Sequence, residues 1–128
     1  IVRDPKRFDV IVTSNQYGDI FSDLAAGLAG SLGLAPGANI GDGVAVFEAC
    51  HGAAPDIAGK GIANPLALVL SGALLLEAQG YKRESDAIKN AVCVVLEKGR
   101  DLTPDLGGPG TTEALTTAVE LEVKRQLS

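Results

Sequence analysis

The sequence has no tryptophan and no methionine, and only two of its residues are cysteines. With three phenylalanines and two tyrosines as the only aromatic residues, the core has to be packed from leucine, valine, isoleucine and alanine. Cys50 and Cys93 each stand alone in an apolar run, without the C-x-x-C spacing of a zinc site or the pattern of a disulfide framework. We therefore expect two small, buried thiols and a reducing compartment.

Basic runs and long apolar runs are also missing. No stretch of cations is longer than two residues and the formal net charge is -5 at pH 7, so a nucleic-acid partner is not expected. The most apolar stretch, residues 66–76, is interrupted by Ser71 and Gly72 and is too short to span a bilayer. These absences predict a soluble protein that binds neither nucleic acid nor a membrane.

The length of 128 residues is that of one domain, and such a chain can bury a core without a disulfide or a structural metal. The first residue is isoleucine and the first segment, IVRDPKRFDVIVTS, has the pattern of a chain already under way. We expect a fragment of a longer protein.

Apolar periodicity predicts an α/β protein. Residues 8–12 include three consecutive aliphatic side chains, which is typical of a strand buried on both faces. A helix of about three turns is predicted from Asp19, with its apolar residues turned to a core, followed by an irregular glycine-rich stretch at 32–43 and a second strand at 44–50. Three further helices are predicted at 65–79, from a cap at Ser85 to Gly99, and from Thr112 onwards.

The segment NQYGDIFSD places Asp19 and Asp23 four residues apart at the predicted start of the first helix. Carboxylates at this spacing point the same way and repel each other unless a cation, an arginine or a proton lies between them, and Mg²⁺ prefers such oxygens. They would also lie just beyond the carboxyl end of the predicted strand, where α/β sheets bind ligands. The alternative is that both acids only complement the dipole of the helix N-terminus. Two carboxylates do not complete a magnesium shell, so further ligands have to come from elsewhere.

The segment HGAAPDIAGKGIAN, residues 51–64, combines the only histidine with an acid, an amide and many small residues. Small residues allow a flat ligand to approach the backbone closely. The segment matches neither G-x-G-x-x-G nor a P-loop. Taken singly, His51 also fits a hydrogen-bonded histidine at a strand end, Asp56 fits a turn residue, and Asn64 fits the cap of the helix at 65–79.

Three other acids have a less specific setting. Glu48 lies inside the second predicted strand, where it needs a polar partner or ligand if it is buried, or else it lies at an exposed strand end. Asp101 and Asp105 flank Thr103 and Pro104 and have the pattern of solvated turn acids.

Four motifs, NQYGDIFSD, LAPGANIG, FEACHGAAPDIAGKGIANP and TPDLGG, resemble in order and spacing the β-decarboxylating dehydrogenases, which include isocitrate dehydrogenase and its isopropylmalate and homoisocitrate relatives. The resemblance extends from about residue 8 to residue 123. It implies an α/β fold, the C-terminal portion of the large domain of the β-decarboxylating dehydrogenase fold (non-Rossmann), with strands and packing helices. Residues 1–128 would form a single domain, the nucleotide- and metal-binding half of a longer chain.

The resemblance also implies the binding residues. Asp19 and Asp23 would bind the Mg²⁺ or Mn²⁺ that chelates the hydroxyl and carboxylate oxygens of a 2-hydroxy acid. A third metal-binding aspartate would lie upstream of Ile1 and serve the neighbouring subunit. The implied cofactor-binding residues are Glu48, His51, Gly52, Ala54, Pro55, Asp56, Ile57, Asn64 and Asp105.

The implied cofactor is NAD, because Asp56 would accept hydrogen bonds from the ribose hydroxyls and repel the 2′-phosphate of NADP. Members of the family that use NADP usually have lysine and tyrosine where Asp56 and Ile57 stand. The motif APGANIG favours the isocitrate dehydrogenase branch. Isopropylmalate, homoisocitrate and tartrate dehydrogenases stay open as alternatives.

The implied activity is the oxidative decarboxylation of isocitrate to 2-oxoglutarate in the tricarboxylic acid cycle. The implied protein is a homodimer or higher oligomer of the cytoplasm, or alternatively of the mitochondrial matrix. The family's substrate clamp and proton-transfer residues precede anything in this chain, so no catalytic residue is predicted here and residues 1–128 alone should be inactive. A module that binds nucleotide or regulates a partner without chemistry of its own is the alternative from another functional class.

Overall fold

Four helices and one β-hairpin make up the computed structural model, which describes residues 1–128. The helices are α1 (Asn15–Ala29), α2 (Leu66–Ala78), α3 (Lys82–Lys98) and α4 (Thr112–Leu127), and the strands are β1 (Pro36–Gly41) and β2 (Val44–Ala49). The two strands are antiparallel, with Pro36 opposite Ala49 and Gly41 opposite Val44. Short 3₁₀ turns occur at Pro5–Arg7, Leu32–Leu34 and Pro104–Leu106.

The hydrophobic core lies where α2, α3 and α4 pack together. Its fully packed members are aliphatic, as the composition requires, and they are Leu66, Ala91, Val92, Val95, Leu115 and Val119. α2 is apolar on nearly every face because it contacts the hairpin as well as α3. It is only 13 residues long, and no helix in the chain combines the length and apolarity that crossing a bilayer requires.

Two helix ends follow the predicted capping chemistry, and the start of α4 is capped by Thr111, which was not predicted as a cap. Asn64 Oδ1 accepts the Leu66 N–H at 3.0 Å, so the amide caps α2. α3 ends at Gly99, which has a φ of +65° and can therefore adopt the left-handed conformation that stops a helix. Thr111 Oγ1 accepts the Ala114 N–H at 3.1 Å, and α4 begins at Thr112 as predicted.

The predicted strand at residues 8–12 is wrong. These residues are irregular, and Val10 and Val12 are 80% and 92% exposed. A strand requires a neighbour to accept and donate its backbone hydrogen bonds, but β1 and β2 pair only with each other. The aliphatic side chains of this run are typical of a buried strand, but no strand of this chain pairs with it.

Several other boundaries differ from prediction. α1 begins four residues before Asp19, and its side chains Ile20, Phe21 and Leu24 are exposed instead of facing a core. The glycine-rich stretch at 32–43 contains β1, because pairing with β2 outweighs the poor strand propensity of glycine. α3 begins at Lys82, so Ser85 is buried in its first turn and does not cap it.

The prediction of two buried thiols is also wrong. Both Cys50 and Cys93 are exposed. Cys93 follows the buried Val92 but lies on the outer face of α3, and Cys50 follows β2 at the wall of a cavity. An apolar neighbourhood in sequence does not decide burial here, because adjacent helical residues point in different directions.

Candidate functional site

Two cavities meet at the end of β2. The loop cavity, about 800 Å³, is lined mainly by small residues of the 51–64 loop, with Ser31, Asp105 and Thr112 on its other walls. The acidic cavity, about 520 Å³, lies between α1 and the hairpin and is lined by carboxylates of both. His51 and Gly52 line both cavities, so the two cavities are adjacent.

Asp19 and Asp23 lie one helical turn apart in α1, and both line the acidic cavity. α1 has no acid in its first turn, which argues against the alternative that these residues only complement the helix dipole. Glu48 of β2 lines the same cavity, and its Oε1 accepts the Asn39 amide Nδ2 at 3.1 Å. The exposed position of Glu48 resolves the choice that the sequence left open.

The pKa of the Cys50 thiol reflects the negative charge of the acidic cavity. Partial desolvation at the cavity wall raises the pKa of this thiol although the residue is exposed, and the negative charges of Asp23 and Glu48 raise the pKa further. Asp23 and Glu48 therefore lie close enough to Cys50 to oppose its ionisation. A thiol that stays protonated is a poor nucleophile, whereas the surrounding carboxylates favour a cation.

The carboxylates of the acidic cavity could form part of a site for a divalent cation. Asp19 and Asp23 offer the oxygen ligands that Mg²⁺ and Mn²⁺ prefer, at a spacing that turns them to one side of α1. No group of three histidine, cysteine, aspartate or glutamate residues converges in this chain as a complete metal site would require. The residues present are thus an incomplete donor set whose remaining positions suit substrate or water oxygens, or a ligand from another subunit.

The loop cavity owes its shape to a chain of tight turns. The Ile57 N–H donates to Ala54 O and the Lys60 N–H to Ile57 O, each at 3.1 Å. Ala54 has a φ of +42°, unusual for a residue with a Cβ. Thr112 anchors the far end of the loop, because its N–H donates to Gly61 O at 2.8 Å and its Oγ1 donates to Ala63 O at 2.5 Å.

One wall of the loop cavity is a network centred on Asp105. Its Oδ2 accepts the Ser31 hydroxyl at 2.5 Å and the Asn64 amide Nδ2 at 2.9 Å. Burial opposes the ionisation of Asp105, but the hydrogen bonds, led by the one from Ser31, outweigh it and lower the pKa of the carboxyl. Asp105 is therefore an exposed acid in a turn, as its local sequence predicts, but its carboxylate is ionised and hydrogen-bonded to two side chains that are distant in sequence.

The nine predicted cofactor-binding residues fall into three places. Six of them line the loop cavity: His51, Gly52, Ala54, Ile57, Asn64 and Asp105. Glu48 lines the acidic cavity. Pro55 and Asp56 are exposed on the loop and line neither of the two cavities. His51 is also exposed, and its Nδ1 lies 3.0 Å from the carbonyl oxygen of Gly52, so it is not a buried structural histidine.

Sequence reasoning missed Ser31, Gly33 and Thr112 as parts of the loop cavity. Ser31 meets its partner Asp105 across 74 positions, and no local pattern announces such a pairing. Gly33 did carry a signal, because a glycine often marks a close approach of the backbone. A Cβ at this position would lie 2.6 Å from the Asn64 Cβ.

Comparison with known proteins gives concordant results for sequence and structure. A family model described as isocitrate/isopropylmalate dehydrogenase matches residues 1–120. The chain is 62% identical over 119 residues to the isocitrate/homoisocitrate dehydrogenase of Thermus thermophilus, a match that covers 93% of this chain and 35% of the relative. It is 51% identical over 120 residues to isocitrate dehydrogenase [NAD] catalytic subunit 5, mitochondrial, of Arabidopsis thaliana, covering 93% and 32%.

A crystal structure of isocitrate dehydrogenase from Methylococcus capsulatus superposes on this chain with a TM-score of 0.90 and 53% sequence identity. The superposition covers 96% of this chain and 37% of that one. The chain thus spans about a third of the length of the relatives it matches, with coverages of 32% to 37%.

Proposed function

The chain belongs to the isocitrate/isopropylmalate dehydrogenase family, and from this premise we propose that it provides the nucleotide site and part of the metal site of an NAD-dependent β-decarboxylating dehydrogenase. The proposed reaction is the oxidation and decarboxylation of isocitrate to 2-oxoglutarate. The observation that supports it is the junction of the two cavities at His51 and Gly52. A dinucleotide whose adenosine lies in the loop cavity can reach the carboxylates of the acidic cavity with its other end.

We assign Asp19 and Asp23 as the ligands of Mg²⁺ or Mn²⁺. A bound divalent cation withdraws electron density from the hydroxyl, keto and carboxylate oxygens of a 2-hydroxy acid. The contribution of this chain is to hold two carboxylates one turn apart on a helix and to leave the other coordination positions open for substrate. Glu48, fixed by its bond from Asn39, would lie beside the nicotinamide end of the cofactor.

We assign the adenosine half of NAD to the loop cavity. Ile57 and Ala54 offer it an apolar wall, and Asn64 and Asp105 offer hydrogen-bonding groups. Asp56 is exposed beside Ile57 on the loop, where its charge disfavours a 2′-phosphate. Gly52 has no side chain and lets the backbone approach the ligand closely, whereas Pro55 lies outside the cavity and restricts the backbone of the loop.

The proposal is tested by assaying the full-length protein that carries this chain for NADH formation with NAD, Mn²⁺ and four candidate substrates: isocitrate, isopropylmalate, homoisocitrate and tartrate. We expect isocitrate to give the highest kcat/KM, and Asp19→Asn to lower kcat at least about a hundredfold because a charged metal ligand is lost. Preference for another of the four would correct the substrate, whereas no turnover of any 2-hydroxy acid would contradict the reaction class.

A second candidate function is a nucleotide-binding or regulatory module without chemistry. It is favoured by one observation: the loop cavity is built within this chain, whereas no complete metal cluster is. Titrating NAD and Mn²⁺ into Asp19→Asn protein separates the two functions. A regulatory module should bind both ligands as the wild type does, whereas the enzyme should lose affinity for Mn²⁺.

We also propose that the protein works as a homodimer or higher oligomer, because the two aspartates leave a divalent cation short of ligands that another subunit could supply. The cytoplasm is the proposed compartment, with the mitochondrial matrix as the alternative, since the Arabidopsis relative is named as mitochondrial. Sedimentation of the full-length protein would test the assembly.

A further inference from the structure

Ser31 is distant in sequence from the 51–64 loop, but its hydroxyl is bonded into the wall of the loop cavity. Ser31 Oγ donates to Asp105 Oδ2 at 2.5 Å and accepts the Gly33 N–H at 2.9 Å. Because the amide hydrogen of Gly33 occupies the oxygen from one side, the single hydroxyl hydrogen is left to point at the carboxylate. Ser31 therefore ties its own backbone turn to an acid on another segment.

Asp105 in turn restricts the orientation of the Asn64 side chain. The same oxygen, Oδ2, accepts the Asn64 Nδ2 at 2.9 Å, while Asn64 Oδ1 accepts the Leu66 N–H at 3.0 Å. The Leu66 donor identifies the amide oxygen, so only the nitrogen can face the carboxylate. The amide plane of Asn64 cannot rotate without breaking one of these two bonds.

Packing reinforces the hydrogen bonds. The turn that holds Ser31 lies directly against Asn64, because a Cβ added at Gly33 would be 2.6 Å from the Asn64 Cβ and 2.9 Å from its Cγ. The acceptor in the network is ionised, and hydrogen bonds to charged groups are shorter and stronger than neutral ones. Asn64, which lines the loop cavity, is thus held in one side-chain orientation.

We propose that Ser31 is a positioning residue for nucleotide binding: it orients Asp105, and Asp105 holds Asn64 in the conformation that contacts the adenosine. This inference rests on the proposed function, because it takes the loop cavity as the nucleotide site. Ser31 acts through Asp105 and touches none of the reacting atoms. Its loss should change the binding of the nucleotide and leave the chemical step intact.

The test compares wild-type full-length protein with Ser31→Ala by calorimetric titration with NAD and by steady-state kinetics. We expect the Kd and KM for NAD to rise about three- to tenfold while kcat is unchanged, since one positioning bond is lost and the groups of the acidic cavity are untouched. Ser31→Thr retains the hydroxyl and should restore the wild-type Kd. The matched control, Ser128→Ala, removes an exposed serine hydroxyl bonded to Lys124 O at 2.5 Å, away from both cavities, and should leave the Kd unchanged.

A double-mutant cycle tests the route through Asp105. If Ser31 acts only through this acid, adding Ser31→Ala to Asp105→Asn should weaken NAD binding by no more than about twofold. Fully additive losses would overturn the inference, as would a lower Tm of Ser31→Ala without any change in Kd. If the wild type binds NAD and Ser31→Ala binds it equally well, this inference alone fails. If the wild type binds no NAD, the proposed function fails with it.

Discussion

Asp56 is the single residue on which the proposed cofactor preference depends. Its exposed carboxylate would accept hydrogen bonds from the ribose hydroxyls of NAD and repel the 2′-phosphate of NADP. Replacing Asp56 with lysine and Ile57 with tyrosine in the full-length protein should raise the ratio of kcat/KM for NADP to that for NAD at least about tenfold. The control Glu97→Lys makes the same change of charge away from both cavities. If the ratio does not change in the double variant, Asp56 does not contact the ribose.

Glu122 gives a prediction on stability and pH. Hydrogen bonds from Arg125 (2.5 Å), then Lys98 and Gln126, act against burial and lower the pKa of this carboxyl from an ordinary value of 4.5 to about 2. Since the folded pKa is below the unfolded one, ionised Glu122 stabilises the fold above pH 4.5, and this contribution is lost as the pH falls toward about 2.

Glu122→Gln should therefore lower the Tm at neutral pH, because the glutamine cannot reproduce the charged bonds to Arg125 and Lys98. The difference in Tm between the variant and the wild type should shrink progressively below pH 4.5. Thermal unfolding followed by circular dichroism across this range measures it. A difference in Tm that stays constant from neutral pH down to pH 3 would show that the carboxylate's charge is not what stabilises the fold.

At this scale the sequence predicts which residues carry chemistry better than it predicts which residues meet. The motif residues His51, Ile57 and Asn64 line one cavity, although their contacts with a nucleotide stay predictions. The bond between Ser31 and Asp105 could not be predicted, because it joins two segments that are 74 positions apart and meet only in the folded chain. Local sequence shows a turn acid, and only the fold supplies its partners.

Among the structural elements, the turn at Leu32–Leu34 is the most sensitive to change. Gly33→Ala would place a Cβ 2.6 Å from the Asn64 Cβ, so the turn or the cap of α2 has to move. We expect a loss of about 1–3 kcal/mol in the free energy of unfolding, together with weaker NAD binding. The matched control is Gly27→Ala inside α1, where an added Cβ meets no atom within 4 Å and should stabilise by up to about 1 kcal/mol.

Chemical denaturation of the two glycine variants measures both free energies. Equal effects of Gly33→Ala and Gly27→Ala would show that the contact between the turn and Asn64 is not tight in solution. If Gly33→Ala is destabilised but binds NAD normally, the cap of α2 contributes to stability and not to nucleotide binding.

The elements differ in how far the sequence determines them. α2, α3 and α4 were predictable from the apolar residues and the signals at their ends. α2 is a nearly continuous apolar run that follows the capping residue Asn64, whereas α3 and α4 have helical apolar spacing and α3 stops at Gly99. β1 was not predictable, because its glycines have poor strand propensity and the strand forms only by pairing with β2. At residues 8–12 the error was the opposite one: a strand was predicted where none exists. Their side chains are typical of a strand, but no neighbouring strand pairs with them.

For the whole molecule, the predicted fold class is confirmed, with the chain forming a part of the family's α/β fold. Only 15 of the 128 residues are buried, and the exposed side of α1 is apolar at Ile20, Phe21 and Leu24. Exposed apolar surfaces that adjoin one another are typical of interfaces. That residues 1–128 form one independent domain stays a prediction, as does their inactivity in isolation.

The proposed function depends above all on a divalent cation that Asp19 and Asp23 would hold beside the nucleotide loop. The most direct measurement is a titration of the full-length protein with Mn²⁺, followed by electron paramagnetic resonance, for the wild type, for Asp23→Asn and for the control Asp42→Asn in the hairpin turn. We expect Asp23→Asn to raise the Kd for Mn²⁺ by at least about tenfold, whereas Asp42→Asn should leave the Kd unchanged. Equal Mn²⁺ affinity in the wild type and Asp23→Asn would show that these aspartates do not hold the cation.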